Sequence, residues 1–500
     1  MISIGAVNAI QFYRIAICAV MFCAVLTADW SVADITMSRI FADNMVLQHS
    51  STVNVTGTSE PDDQMIVAFN GQVVTTSADS NGNWSAQIQT PGPGGPYQME
   101  VSVEGGDPKI VISDILVGEV WICAGQNNMS WPVGKAQDAE TELVEAPKLT
   151  KIKLFTVEDN QSAEPLTEFD KVALWESCSQ DRVATFSAVG FYFGREISRK
   201  FDVPVGLIDI SRDFTVIEAW TPESAMQDVE QLQPLLNHWA ENTDNLNNVD
   251  RPSELFNGMV SPLQGFPIRG VIWYQGEANV GRGAQYNHLM PALITGWRSE
   301  LADGEKFPFY FVQPAPYRYE GFTPEALPEL REAQANALDV FDQTGMVVTT
   351  DLGDPADINP LNKQEVGRRL ALHAFATPYN EMLPEEQRTV VASGPTFERM
   401  ETGGGRATLY FQNIGDGLVA RTSAELTGFQ ICGEDREFKP ATAVIEGEVV
   451  IVTSPDVEKV EAVRFAWNDT ASPNFFNVNG LPAVPFRTDR YELQSVGVEF

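Results

Sequence analysis

The chain has 500 residues, 43% of them hydrophobic and 20% charged, with a formal net charge of −35 at neutral pH. Such a length holds two or three domains and a sizeable core, and the balance of apolar and charged residues excludes a disordered or fibrous class. So acidic a surface repels nucleic acid, which excludes it as a partner.

Residues 1–33 differ from the rest: Arg14 precedes an apolar stretch from Ile15 to Leu26, and Ser31-Val32-Ala33 offers small residues for cleavage. This pattern predicts a signal peptide cut after Ala33 and a secreted or periplasmic mature protein. An uncleaved anchor is the alternative, although the apolar core is short for a span. No later segment is apolar enough to cross a membrane. Cleavage removes Cys18 and Cys23 and leaves Cys123, Cys178 and Cys432. An odd number permits at most one disulfide and leaves at least one free thiol. Cys123 lies within a predicted buried strand and reads as a small core residue.

From 34 to 113, short alternating runs at Gln64–Phe69, Trp84–Gln89 and Tyr97–Val103 are separated by Asn-Gly, Gly-Asn and Pro-Gly clusters, which predicts an all-β sandwich. The Pro91–Pro96 segment reads as a loop inside it. From 114 to 383 the pattern predicts buried parallel strands at Ile115–Ala124, Val203–Ile210, Arg269–Tyr274, Phe307–Gln313 and Gly345–Thr350. Helices are predicted between them at Ala188–Lys200, Ala284–Leu301, Leu327–Phe341 and Asn362–Ala376. This alternation is that of an open, doubly wound α/β sheet. From 384 to 500 the chain returns to short strands, and a second β module closes it.

Ligands of open parallel sheets bind beyond the carboxyl ends of the strands. Four polar loops fall there: Gly125-Gln126-Asn127-Asn128, Ser211-Arg212-Asp213, Gln275-Gly276-Glu277-Ala278-Asn279, and Asp351 to Pro360. Any one of them also reads as a helix cap or turn. Together they outline one crevice.

Several segments carry a specific resemblance. They are Arg39-Ile40-Phe41-Ala42-Asp43-Asn44-Met45-Val46-Leu47-Gln48, Gly118-Glu119-Val120-Trp121, Leu255-Phe256-Asn257-Gly258-Met259, Gly270-Val271-Ile272-Trp273-Tyr274-Gln275-Gly276-Glu277, Asn362-Lys363-Gln364-Glu365-Val366-Gly367-Arg368-Arg369 and Gly480-Leu481-Pro482-Ala483-Val484-Pro485-Phe486-Arg487-Thr488-Asp489. In order along nearly the whole mature chain, they resemble the sialate O-acetylesterase family. The resemblance implies an SGNH-hydrolase, flavodoxin-like sheet flanked by the two β modules, and removal of acetyl groups from sialic acids or related glycans without a metal or other cofactor. An acetylated sugar is the implied partner.

The catalytic positions depart from that family. Its nucleophile block reads Gly-Gln-Ser-Asn-Met, and here Asn127 stands in place of the serine, between Gln126 and Asn128. Its second block reads Ser-Ser-Trp-Gly-Gly-Thr, and here Asp213 and Phe214 replace the glycines whose N–H groups approach the oxyanion. The third block keeps Asn279 as an oxyanion donor. The last block, Asp-Ile-His-Pro in the family, reads Asp357-Ile358-Asn359-Pro360, so Asn359 stands for the base, with Asp357 and Asp354 left to orient it. A carboxamide cannot be deprotonated by a neighbouring base to attack an ester. Loss of nucleophile or base alone costs on the order of 10⁶ in kcat in a serine hydrolase.

The reading that follows is a secreted, non-catalytic family member that binds glycans through Gln126, Asn128, Gln275, Glu277 and Asn279, with ring faces from Trp131, Trp273 and Tyr274. Trp273 also reads as core, and the two asparagines at 127 and 359 are positioned to satisfy each other. An active esterase with relocated groups is the alternative. Ser130 and Ser211 are its candidate nucleophiles, each without a base in view. The four histidines, His49, His238, His288 and His373, read as surface or capping residues. A third reading is a structural or cell-surface interaction protein. Arg212, Arg269 and Arg282 are the candidates to meet a sugar carboxylate.

Overall fold

The computed structural model describes residues 35–498 apart from 172, 243–248, 303 and 305. The leader expected at 1–33 lies outside the described residues. The strand β1, Ile110–Gly125, joins the N-terminal module to the central sheet. Its first half pairs with the antiparallel strand Gly94–Val103 and, through Leu116–Gly118, with Val46–Gln48. Its second half, buried without interruption from Val117, lies in the middle of the parallel sheet. The boundary expected between 113 and 114 therefore falls inside one strand.

The N-terminal strands alternate in burial as a sandwich requires, most clearly Asn83–Gln89. The Asn-Gly signal is a tight hairpin: Asn70 and Gly71 both adopt positive φ (48° and 79°) between the paired strands Gln64–Phe69 and Gln72–Ser77.

The central strands are β1, β2 (Ile152–Thr156), β3 (Trp175–Ser177), β4 (Val205–Ser211), β5 (Gly270–Tyr274), β6 (Phe309–Val312) and β7 (Thr344–Val347). Their spatial order is β3-β2-β4-β1-β5-β6-β7, parallel except for the antiparallel edge pair β2–β3. The sheet is thus mixed, and two strands join it that the hydrophobic pattern does not announce, because β3 is three residues long and half exposed.

Alternate residues of each strand feed opposite faces, which explains their continuous apolar runs. Trp121, Cys123, Ile272 and Tyr310 pack under α2 (Ala188–Phe201) and α5 (Lys363–Ala376). Ile122, Ala124, Val271 and Phe311 pack under α3 (Gly283–Ala302) and α4 (Ala326–Val340). The C-terminal module has its own core, built on Phe429, Phe465, Phe475 and Phe486. It is tied to α4 by Arg487 with Glu332 (2.8 Å) and by the backbone N–H groups of Gln494 and Ser495 on Glu329 (2.8 and 3.0 Å).

Cys123, Cys178 and Cys432 are all buried free thiols, so the disulfide left open by the odd number is absent. His373 is buried, not a surface residue: its Nε2 contacts the Met346 carbonyl (3.1 Å) and burial pushes its pKa down to about 4. Among the described residues no helix is long and apolar enough to cross a membrane.

Candidate active site

The crevice is built where β4, β1 and β5, adjacent in the sheet, end together. Gly125 has φ +139°, and a Cβ there would lie 2.1 Å from the Tyr274 carbonyl oxygen, so only glycine lets the chains approach. The N–H of Gln126 donates to that carbonyl (3.0 Å) and the N–H of Arg212 to the Gly125 carbonyl (3.0 Å), tying the three loops into one frame. The loop after β7 reaches back over two strands, where the Ile358 carbonyl accepts from Asn128 Nδ2 at 3.0 Å. All four polar loops meet here.

Asn127 opens a single helical turn, α1 in chain position ahead of α2, spanning Asn127–Ser130. Its Oδ1 accepts the backbone N–H of Phe214 at 2.7 Å. The resemblance sets Phe214 at the second of the two family glycine positions and Asn127 at that of the nucleophile, and the N–H it expects to face an oxyanion is bound by the Asn127 carboxamide. Phe214 has φ +58°, a left-handed conformation natural to glycine and strained for an aromatic residue, and its side chain is 75% exposed. Asp213 is also exposed, and its carboxylate accepts from Ser130 Oγ.

The expected pairing of Asn127 with Asn359 does not occur. Asn359 Oδ1 is enclosed and has no hydrogen-bond partner among the described residues. Asp357 and Asp354 shape turns: Asp357 Oδ1 accepts from the Asn359 N–H and Asp354 Oδ1 from the Ala356 N–H, both at 2.9 Å. Both aspartates are exposed.

Beneath Asn127 lies a polar core. Gln126 Nε2 and Asn128 Nδ2 both donate to the half-buried carboxylate of Glu277, the latter at 2.5 Å. Lys363 Nζ donates to Asn128 Oδ1 and sits 5.5 Å from the Tyr274 ring and 5.8 Å from the Trp131 ring. Burial raises the Glu277 carboxyl above its ordinary range and pushes Lys363 down to about 7, while the opposite charges of the two work against both shifts. Lys363 is fully buried. Sequence reasoning missed this role, since its only signal is the position of Lys363 at the start of α5 in a recognisable segment.

Gln275 and Asn279 are fully buried, which corrects the sugar contacts expected of them. Gln275 Nε2 donates to the Thr215 carbonyl (3.0 Å) and to Asn279 Oδ1 (2.7 Å), and its Oε1 accepts from Tyr286 (3.0 Å). Asn279 Oδ1 also accepts the Ile217 N–H (3.0 Å), and its Nδ2 donates to Glu218 (2.9 Å). Asn279, expected from the resemblance to donate to an oxyanion, is a brace between the second and third loops. Glu218, which completes this brace, carried no sequence signal.

Trp273 and Tyr274 are fully buried core residues, and Trp131 is half-buried under the two lysines Lys135 and Lys363. Arg269 lies at the opposite end of the sheet, bound to Glu119 at 2.7 Å beside His49. Arg212 faces Asp159 at 3.5 Å on the second loop, and Arg282 is bound to Glu218 at 2.6 Å. His288 is half-buried on α3. Each candidate serine does face a carboxylate: Ser130 that of Asp213, and Ser211 that of Asp209 at 2.5 Å. Burial, offset by the bond from Ser211, pushes the Asp209 carboxyl up to about 7.

Residues 117–376 match the family model of a carbohydrate esterase, sialic acid-specific acetylesterase. The rat sialate O-acetylesterase is 28% identical over 83% of this chain and 85% of its own length. The human sialate O-acetylesterase is 27% identical, with 83% of each chain covered. A crystal structure of a carbohydrate acetylesterase from Xanthomonas citri superposes with a TM-score of 0.83 at 34% identity, covering 91% of this chain and all (100%) of that one.

Proposed function

The chain belongs to the sialic acid-specific acetylesterase family of carbohydrate esterases, and from that membership we propose that it is an exported, non-catalytic member that binds O-acetylated glycans. The observation that carries the reading is the bond from the Phe214 N–H to Asn127 Oδ1 at 2.7 Å. A serine hydrolase needs an activated hydroxyl, a base and free donors for the oxyanion. Here a carboxamide replaces the hydroxyl, a second carboxamide, Asn359, stands at the position of the base, and the donor at 214 is bound by the first. With nucleophile and base both gone, only about 10³ to 10⁴ over water is ordinarily left from binding and the oxyanion hole. Capture of the Phe214 N–H reduces that remainder further.

Binding is supported by what the crevice still offers. Asn127, Glu277 and Asn359 are half-buried around the loops, and the Nδ2 groups of the two asparagines are placed to donate to sugar hydroxyls or an acetyl carbonyl, with exposed Phe214 at the rim. Gln126 and Asn128 act behind them by holding Glu277. Export is supported by the leader pattern at 1–33. Calorimetric titration of the mature protein with O-acetylated and de-acetylated sialosides tests this: binding heat that depends on the acetyl group is expected, and none with any glycan reduces the protein to a scaffold.

The contact of Ser130 Oγ with the Asp213 carboxylate favours one competing reading, a hydrolase with a relocated serine. A carboxylate is a weak base for a serine hydroxyl, so only slow turnover is available to it. Turnover of 4-nitrophenyl acetate abolished by both Ser130→Ala and Asp213→Asn would establish it.

A further inference from the structure

The loops that carry Phe214 and Glu277 do not end at the crevice. They continue into the wall of a second pocket of about 300 Å³, to which Val216 and Glu218 come from one loop and Val280 and Arg282 from the other. That volume is at the small end of ligand pockets, roughly 300 to 1,000 Å³, and suits one sugar ring. The far wall is the helix Gln233–Glu241, which contributes Leu235 and a half-buried Trp239. Arg251 lies 5.5 Å from the Trp239 ring and His238 meets it edge-on at 5.5 Å, which fixes the indole. Phe322, 52% exposed, completes the mouth. Its ring lies directly on Gly281, where φ is +91° and a Cβ would sit 2.4 Å from a ring carbon, so this loop needs glycine for the ring to close down.

The polar groups define the ligand. Glu218 and Asp250 supply carboxylates, and the guanidinium in the wall, Arg282, is bound to Glu218 at 2.6 Å and to Gln285 at 3.0 Å. An anionic sugar meets excess negative charge here. A neutral pyranose meets aromatic rings for its C–H face and the half-buried Asp250 carboxylate as an acceptor for a hydroxyl, while Glu218, buried and bound through both oxygens, holds the wall in place. The two sites are also mechanically joined, since Glu218 accepts from Asn279 through one oxygen and from Arg282 through the other.

We propose that this pocket binds a neutral pyranose, the neighbouring sugar of a glycan whose acetylated residue lies over Asn127. The second half of that statement rests on the glycan-binding reading above; the pocket's preference for a neutral ring does not. The test uses the full mature chain with methyl β-D-galactopyranoside, methyl α-D-glucopyranoside, methyl N-acetyl-β-D-glucosaminide and methyl α-sialoside, by saturation-transfer NMR and calorimetry. At least one neutral glycoside is expected to bind with a Kd of about 1 to 10 mM, weakened about tenfold or more by Trp239→Ala and by Phe322→Ser. Phe322 is exposed, so its replacement leaves folding intact. Three results overturn the proposal: no neutral glycoside bound at about 50 mM, binding indifferent to both substitutions, or a preference of this pocket for the sialoside. Neutral-sugar binding in a protein that ignores acetylated glycans supports the pocket and sinks only the crevice reading. Acetylated glycan bound with no neutral sugar recognised sinks only the pocket.

Discussion

Phe214 donates its backbone N–H to Asn127 Oδ1 over 2.7 Å. The residues that the resemblance sets at the altered positions of the second and first family blocks are thus partners in one local structure. A left-handed backbone at Phe214 aims the N–H, and a carboxamide without nucleophilic character receives it.

Phe214→Gly is expected to stabilise the fold by about 1 kcal/mol, because a non-glycine residue in the left-handed region costs about that much. The side chain is 75% exposed and gives up little packing, although the unfolded glycine chain is freer and offsets part of the gain. Urea denaturation of the two proteins measures it. A lower midpoint for the variant would show that the ring, and not the backbone, dominates at this position.

Asn279→Ala is expected to destabilise the protein by about 2 to 4 kcal/mol, since it leaves buried partners unsatisfied at roughly 1 to 3 kcal/mol each. Those partners are the Ile217 N–H, Gln275 Nε2 and the Glu218 carboxylate. Were Asn279 kept only as an oxyanion donor, its replacement would leave the denaturation midpoint nearly unchanged.

Acidification should remove stability through His373 and Glu119 over adjoining ranges, while Asp209, whose carboxyl burial raises from 3.8 to about 7, opposes the His373 loss because the folded state takes up its proton first. Burial alone would raise the Glu119 carboxyl, but hydrogen bonds from His49 and Arg269 outweigh it and hold the pKa at about 2, against an ordinary 4.5. Its folded pKa is depressed, so its contribution is whole above 4.5 and is lost as pH falls towards 2. His373 is depressed from 6.5 to about 4 by burial, so the neutral ring favours the fold above 6.5 and that advantage is lost between 6.5 and 4. Denaturation midpoints followed against pH should show that Glu119→Gln flattens the fall below 4.5 and leaves the behaviour above it unchanged. A single transition unaffected by Glu119→Gln would contradict the assignment.

Much of the fold is legible in the sequence for a simple reason. The five strands expected from apolar runs are buried on both faces, and the four long helices between them fall within two residues of their expected bounds. What escapes is short or tertiary. The edge strand Trp175–Ser177 lacks a hydrophobic period, and the polar loops do not reveal which of their side chains face inward. Gln275 and Asn279 look like ligand-binding residues because amides suit sugars, yet amides also suit buried junctions between loops, and here burial decides. Lys363 hides for the opposite reason: lysine is rarely fully buried, and only the ring faces of Trp131 and Tyr274 with Asn128 and Glu277 nearby make it tolerable. The substitution at Asn127 is plain from sequence, but the bond it makes depends on the φ of Phe214, which no local pattern gives.

The most direct measurement compares 4-nitrophenyl acetate hydrolysis by the wild-type protein with that of a rebuilt variant carrying Asn127→Ser, Asp213→Gly, Phe214→Gly and Asn359→His. The wild type is expected at the buffer rate, and the rebuilt protein at about 10² to 10⁴ above it, as a free donor, a hydroxyl and a base return to an intact frame. Wild-type turnover well above buffer that disappears with Ser130→Ala would contradict the proposal that the crevice has no acyl-transfer chemistry.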